Sequence, residues 1–537
     1  MVLTGVLQLP EKVFERLPDA VQVYLERFKD ASKGKQAAII FAALVSGRLV
    51  WGIGKEQYMR LTKNLPPNVP YTLPIIGNTF EYFSDPHGFL RKVQERYGFP
   101  ARIFVLGQKQ TIVGKNMVRE VMMAGDDKLS FSMGVRETFD LLSMLQFRPR
   151  PSGGKMTHEL VTKHLTPNLK NFTPRVVRML EGVSNEKLPS TNEPMTVDDT
   201  YALLSTMVAK AGASVFVGEK LCENRKLVEL FRTMTSEVGE AFGRYALLQL
   251  LPSVQKFFIR YLWQYVFNVN RSYKVIIEAI EPEIQERERG MNGEIPGWER
   301  PNDILQDLIE DALPRGEERG DMLRYIAQDI VVLVFVSIHT TSHNSNLALW
   351  YLALHPEYVD ELLDEQKQVF SETSDEDQGT PWTGTAIKKM VKLDSFVRET
   401  FRMRGDGADL PHKVISEKDC VLSNGMVVPK GEIIQLNLLE VNTDADVPGG
   451  HPEEFRPWRF VAANKNAIKV GADYLPFGMG KHACPGRFFA IQEIKTILAM
   501  IVGKYEISTP DDVDMYPRLG GPNNFKPKGR MIFKLRH

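Results

Sequence analysis

Phe477-Gly-Met-Gly-Lys-His-Ala-Cys484-Pro-Gly-Arg-Phe-Phe489 is a glycine-loosened turn that delivers one cysteine to the start of a helix. Pro485 suits the first position of that helix, where its missing N–H costs nothing and its φ is already helical. Phe489, Ile491, Ile494, Leu498 and Ile501 then recur at helical spacing, so the helix buries one face. The unpaired N–H groups of a first turn and the positive end of the dipole favour negative charge on the Cys484 sulfur, which is the environment of a thiolate metal ligand. Gly478, Gly480 and Gly486 clear side chains from around the sulfur and let the backbone approach something large and flat. A lone cysteine is equally at home as a small buried hydrophobe. The choice between the two rests on the rest of the chain.

Composition narrows the field. The 537 residues hold 67 basic and 67 acidic side chains, so the chain as a whole has no electrostatic case for binding nucleic acid. A hydrophobic content of 43% with 25% charged residues is that of a globular protein. Only three cysteines occur, Cys222, Cys420 and Cys484, without Cys-x-x-Cys or zinc-type spacing, which argues against a disulfide scaffold and for a reducing compartment.

Phe477, Gly480, Cys484 and Gly486 fill the pattern Phe-x-x-Gly-x-x-x-Cys-x-Gly, and with it the chain resembles the cytochromes P-450, the haem-thiolate monooxygenases. The resemblance implies a mostly α fold with small β-sheets and a single large haem domain, here residues 55–537. It also implies haem b (iron protoporphyrin IX) held through Cys484, with Phe477, Gly478, Gly480, His482 and Gly486 around it. His482 stands where the family usually has an arginine that reaches a haem propionate. Lys163 on the segment His158–Leu169 and His412 in Leu410-Pro-His-Lys-Val414 fall at two further propionate positions; a solvated helix face and a polar turn are the plainer readings of each.

From about Asp321 to Leu354 the pattern is one long helix, apolar nearly all round at 330–336 and therefore buried. Its middle reads Val336-Ser-Ile-His339-Thr340-Thr341 and is similar to the family's oxygen-activation motif, with Thr340 and Thr341 matching and His339 in place of the usual acid. A hydroxyl there would pass or hold a relay water inside an apolar cavity, and an imidazole titrating near neutrality would move protons. Alternatively Thr340 back-bonds to a carbonyl one turn earlier, and His339 is a satisfied core histidine. Glu399 and Arg402, three apart on one helix face, with Arg459 of the Phe455–Phe460 segment resemble the family's Glu-Arg-Arg cluster, which secures the backbone behind the cysteine.

Elsewhere, residues 37–53 form a near-span broken by Arg48, either a membrane anchor within an N-terminal segment 1–54 or an interfacial or buried helix. Pro66, Pro67, Pro70 and Pro74 stiffen the linker that follows. A hairpin is expected around Gly107, helices over 225–285, a surface loop over 286–303, and turns at Asn424-Gly425 and Pro429-Lys430-Gly431. The aromatic run Phe257–Trp263 is core by default, or by family position the roof of a substrate cavity that touches the membrane. Gly520–Phe525 resembles the loop that dips into that cavity.

The His-Thr-Thr form resembles fungal family members that oxidise terpenoids and steroids. The expectation is hydroxylation of an apolar small-molecule substrate with O2 and electrons from an NADPH-dependent cytochrome P-450 reductase, at the endoplasmic reticulum membrane with the catalytic domain cytosolic. A haem-thiolate isomerase or dehydratase acting on a hydroperoxide without reductase, and a non-catalytic haem or lipid carrier, are the other readings.

Overall fold

The computed structural model describes residues 54–150, 157–373, 380–510 and 529–536, with a few isolated positions nearer the N-terminus. The expected anchor at 37–53 and the loop Gly520–Phe525 lie outside the described residues. By packing, the chain divides into residues 1–65 with 421–427, and residues 66–420 with 428–537. In the first unit residues 54–62 are helical. Asn64 there binds the Asn424-Gly425 turn, donating to the Gly425 carbonyl at 3.1 Å and accepting from the Val427 amide at 2.8 Å.

The second unit carries the long helices. Its strands are β1 (Ala101–Val105), β2 (Gln108–Val113), β3 (Leu129–Ser130), β4 (Met195–Val197), β5 (Ala408–Val414), β6 (Ile433–Asn437), β7 (Tyr505–Ser508) and β8 (Met531–Leu535). The hairpin expected at Gly107 is β1 against β2, with Ala101 opposite Ile112. The main sheet runs β1-β2-β6-β5-β3, with only β2 and β6 parallel; a smaller sheet runs β4-β8-β7. A register shift in β5 between Asp409 and His412, with Leu410 at φ +56°, breaks the pleat and turns Leu410 out of the ladder.

The helices that matter for the site are α1 (Phe131–Thr138), α2 (Leu169–Lys187), α3 (Thr200–Phe216), α4 (Arg225–Gly243), α5 (Pro252–Tyr261), α6 (Val269–Met291), α7 (Arg319–Leu354), α8 (Val391–Arg402) and α9 (Arg487–Lys504). The 36 residues of α7 extend roughly 54 Å at 1.5 Å per residue. This helix is long and apolar enough to cross a membrane, yet 72% of its most apolar stretch is buried inside the protein, which makes it the central core helix. Its polar residues find partners there: Thr200 of α3 donates to Asn346 at 2.6 Å and accepts from the Trp350 indole at 3.1 Å. One core cluster joins α2, α3, α4, α6, α7, α8 and α9.

Two expectations are corrected. The loop over 286–303 begins only after α6 ends at Met291. The charged residues that suggested a loop form a buried network instead: Arg287 donates to Asp303 at 2.6 and 2.8 Å and to Glu283 at 2.9 Å, which offsets their desolvation and extends the helix. Likewise α9 starts at Arg487 with Gly486 as its N-cap, so Pro485 precedes the helix and Cys484 lies on the turn leading into it.

Candidate active site

Around Cys484 the turn is built from backbone. The Cys484 amide donates to the Phe477 carbonyl at 2.8 Å, and Ala483 donates to Gly480 at 3.2 Å. Gly478 and Gly480 take φ +67° and +61°. A β-carbon on Gly480 would fall 2.7 Å from Sδ of the exposed Met123 side chain, which can move aside, so it is the left-handed conformation that calls for glycine there. Phe477 packs edge-on against Phe401 of α8, with ring centroids 5.5 Å apart. The N–H groups of Gly486 and Arg487 reach the Cys484 sulfur and favour its anion, while burial works more strongly the other way and pushes the thiol up from its ordinary value. A cation at the sulfur would reverse that balance. The sulfur is nonetheless accessible, because it opens into a cavity.

That cavity has a volume of about 960 Å³ and is lined by Cys484 and Phe477 on one side and by Val336, His339, Thr340 and Thr341 of α7 on another. Residues separated by some 145 positions therefore face one space. Thr340 Oγ1 donates to the Val336 carbonyl at 2.8 Å and is exposed to the cavity. Both readings of Thr340 hold together: its proton is committed to the helix, and its oxygen lone pairs remain to accept from a water or ligand. Thr341 is buried beside it. His339 Nδ1 lies 2.6 Å from the Tyr201 hydroxyl of α3, so it is partnered and cavity-lining at once.

At the cavity edge, His482 lines the space with Nε2 3.1 Å from the Asp126 carboxylate. His412, on β5, is 1% exposed; its Nδ1 lies 2.8 Å from the Leu410 carbonyl, and its Nε2 is buried with no hydrogen-bond partner. Burial lowers the His412 pKa. The rings of His412, His482 and Phe131 pack together with centroids 5.3 to 5.8 Å apart. Lys163 is not among the lining residues; its side chain is 65% exposed and pairs with Glu159. His158, a turn earlier, lines the cavity instead, as does Arg404, whose guanidinium is held by Asp406 at 2.7 Å. Lys163 lies in a π-helical turn, Val161–Leu165. Nothing in the local pattern singled out His158, Arg404 or Tyr201.

Behind the turn, Glu399 accepts from Arg402 Nε and Nη2 at 2.8 Å each and from Arg459 Nε at 3.0 Å, all three side chains being buried. The expected cluster is thus present.

The family profile described as Cytochrome P450 matches residues 67–534. The chain belongs to the cytochrome P450 family. It is 28% identical over 485 residues to cytochrome P450 monooxygenase 151 of Postia placenta, covering 88% of this chain and 92% of that one. It is 31% identical to cytochrome P450 monooxygenase olcJ of Penicillium canescens, over 70% of this chain and 68% of that one. Among solved structures the retinoic-acid-bound cyanobacterial CYP120A1 superposes with a TM-score of 0.62 at 19% identity, covering 88% of this chain and all of that one, and shows the P450 fold. This P450 is a haem-dependent oxygenase, and the carrier reading is set aside.

The residues present fit haem b. One accessible sulfur, a turn without a side chain at Gly478, and the cationic or hydrogen-bonding groups of His482, Lys481 and Arg404 on the lining are what a flat, anionic-edged macrocycle requires; His412, 1% exposed and packed behind His482, is not among the lining residues. Cys484 would ligate the iron, His482 and His158 would face the propionates with His412 packed behind His482, and the haem when bound supplies the redox chemistry. Thr340 offers an acceptor oxygen to a water or ligand in the cavity.

Proposed function

We propose that this P450 hydroxylates a rigid apolar terpenoid or steroid, taking electrons from an NADPH-dependent cytochrome P-450 reductase. The observation that supports the substrate class is the apolar part of the cavity wall, where Phe131, Val336 and Leu410 present their side chains beside His339 and Thr340, which would orient a ligand. The broken pleat of β5 is what gives Leu410 to that wall. The His-Thr-Thr form and the monooxygenase names of the relatives support oxygen insertion over a hydroperoxide rearrangement. The decisive experiment incubates the enzyme with reductase, NADPH and a steroid and terpenoid panel. Mass-spectrometric detection of products carrying one added oxygen is the expected result; turnover only of fatty acids or small phenols refutes the substrate class.

The same reading places the enzyme on the endoplasmic reticulum membrane with the catalytic part cytosolic. It is supported by an exposed apolar strip on and beside α5, comprising Leu247, Leu251, Val254, Phe257, Tyr261 and Tyr265. Trp263, within the same run, is fully buried, so the aromatic segment divides into a core face and an outward face. Removal of residues 1–54 together with charge substitution of Phe257 and Tyr265 is expected to move the protein from the membrane to the soluble fraction. Retention in the membrane pellet after both changes would refute this placement.

A further inference from the structure

Behind His339 a line of polar groups crosses from α7 to α3 and α4. The Tyr201 hydroxyl is 2.6 Å from His339 Nδ1, and the two rings meet edge-on with centroids 5.9 Å apart. The Ser236 hydroxyl of α4 lies close enough to the same phenol to favour its ionised form. Two charged groups bear on the outer end of this line, Arg232 and Asp199. Asp199 is exposed to solvent and caps α3 by accepting from the Ala202 amide at 2.8 Å, while Arg232 pairs with Glu229. Hydroxyl, phenol and neutral imidazole each donate and accept, so the polarity of such a line can reverse. Burial pushes the Tyr201 pKa up and keeps the phenol in that donating and accepting form.

We propose that Ser236, Tyr201 and His339 form the route by which protons reach the cavity beside Thr340, with Tyr201 positioning His339 and reloading it. The proposal rests on the haem-oxygenase reading and adds to it the proton path that the missing acid leaves open. With Tyr201 donating to Nδ1, the neutral ring carries its proton on Nε2. Release of that proton to a cavity acceptor is matched by transfer of the Tyr201 proton to Nδ1, of the Ser236 proton to the phenol oxygen, and of a solvent proton to Ser236. Each N–H or O–H bond broken is matched by one formed, and no electrons move. Rotation of the two hydroxyls and tautomer exchange in the imidazole reset the line.

The test uses the holoenzyme and carbon monoxide as probe. Tyr201→Phe keeps the ring packing against His339 and removes only the hydroxyl. Its haem content and thermal midpoint are expected to stay at the wild-type level, while the infrared C–O stretch of the carbon monoxide complex shifts. With reductase and NADPH, the share of electrons leaving as hydrogen peroxide rises. His339→Gln shifts the same band, and adding Tyr201→Phe to it produces little further change, since both act in one line. Ser236→Ala, at a half-buried position, raises peroxide in the same direction. An unmoved C–O band with unchanged peroxide release in Tyr201→Phe, or strictly additive effects of the two substitutions, overturns the proposal. A protein that forms no carbon monoxide complex at all overturns the haem reading itself, and the proposal with it.

Discussion

Glu399→Gln is the substitution that most directly tests how the backbone behind Cys484 is held. Glu399 is 0% exposed and accepts four hydrogen bonds: two from Arg402 at 2.8 Å, one from Arg459 at 3.0 Å and one from the Arg456 amide at 3.0 Å. Glutamine keeps the shape but removes the only negative charge between two guanidiniums that are 3% and 8% exposed. Breaking one partner out of a buried pair costs about 3–5 kcal/mol. Here two cations lose the counter-ion together, so the cost should sit near the upper end, about 5 kcal/mol. Arg459→Met leaves the bidentate Glu399–Arg402 pair intact and takes the Arg459 guanidinium away from the carbonyls of Pro448 and Gly450, while the carbonyls of His451 and Glu454 keep the Glu454 amide and Arg402 as donors. Its cost should be nearer about 3 kcal/mol. The expected order is therefore Glu399→Gln worse than Arg459→Met by about 2 kcal/mol, read from urea midpoints followed by far-ultraviolet dichroism and by haem absorbance. A loss under about 1 kcal/mol for Glu399→Gln, or the reverse order, would show that charge does not hold this cluster together.

Glu493 of α9 is 2% exposed, its Oε1 has no partner, and burial alone pushes its pKa up to about 8. Because the folded-state value is raised, the unfolded chain ionises first as pH climbs, so the wild type loses stability from about pH 4.5 until the folded carboxyl itself ionises near pH 8. Glu493→Gln should be close to neutral at pH 4 and stabilising by about 3 kcal/mol at pH 7; a difference that does not vary with pH would count against this. Lys163→Ala should leave haem release to apomyoglobin unchanged, since the ammonium is solvated and paired with Glu159. His158→Ala should speed that release about fivefold, the equivalent of one hydrogen bond of about 1 kcal/mol; equal effects of the two would contradict their placement.

Much of this molecule was legible in order along the chain because its evidence is local. The glycines, the cysteine and the apolar period of α9 share one short stretch, and short-range sterics and helix periodicity suffice to read a turn that presents sulfur. The same holds for the apolar run of α7 and for Glu399 and Arg402, whose pairing follows from three-residue spacing on a helix. The failures have equally definite causes. Charge-rich composition suggested a loop over 286–303, but Arg287, Glu283 and Asp303 neutralise one another in the interior and the helix runs on to Met291. Lys163 falls at a propionate position only through resemblance to a family motif whose Trp and Arg are both absent here, and it is His158, not Lys163, that lines the cavity.

What the sequence by itself determined is the turn that presents the Cys484 sulfur, the core helix that faces it and hence the family, since each is written in neighbours a few residues apart. What only the tertiary structure decided is which distant groups meet across the cavity: Tyr201 on His339, His412 beside His482, and Leu410 turned out of its strand. Those contacts depend on how helices and strands pack against one another, and packing brings together residues whose separation along the chain carries no periodic signal.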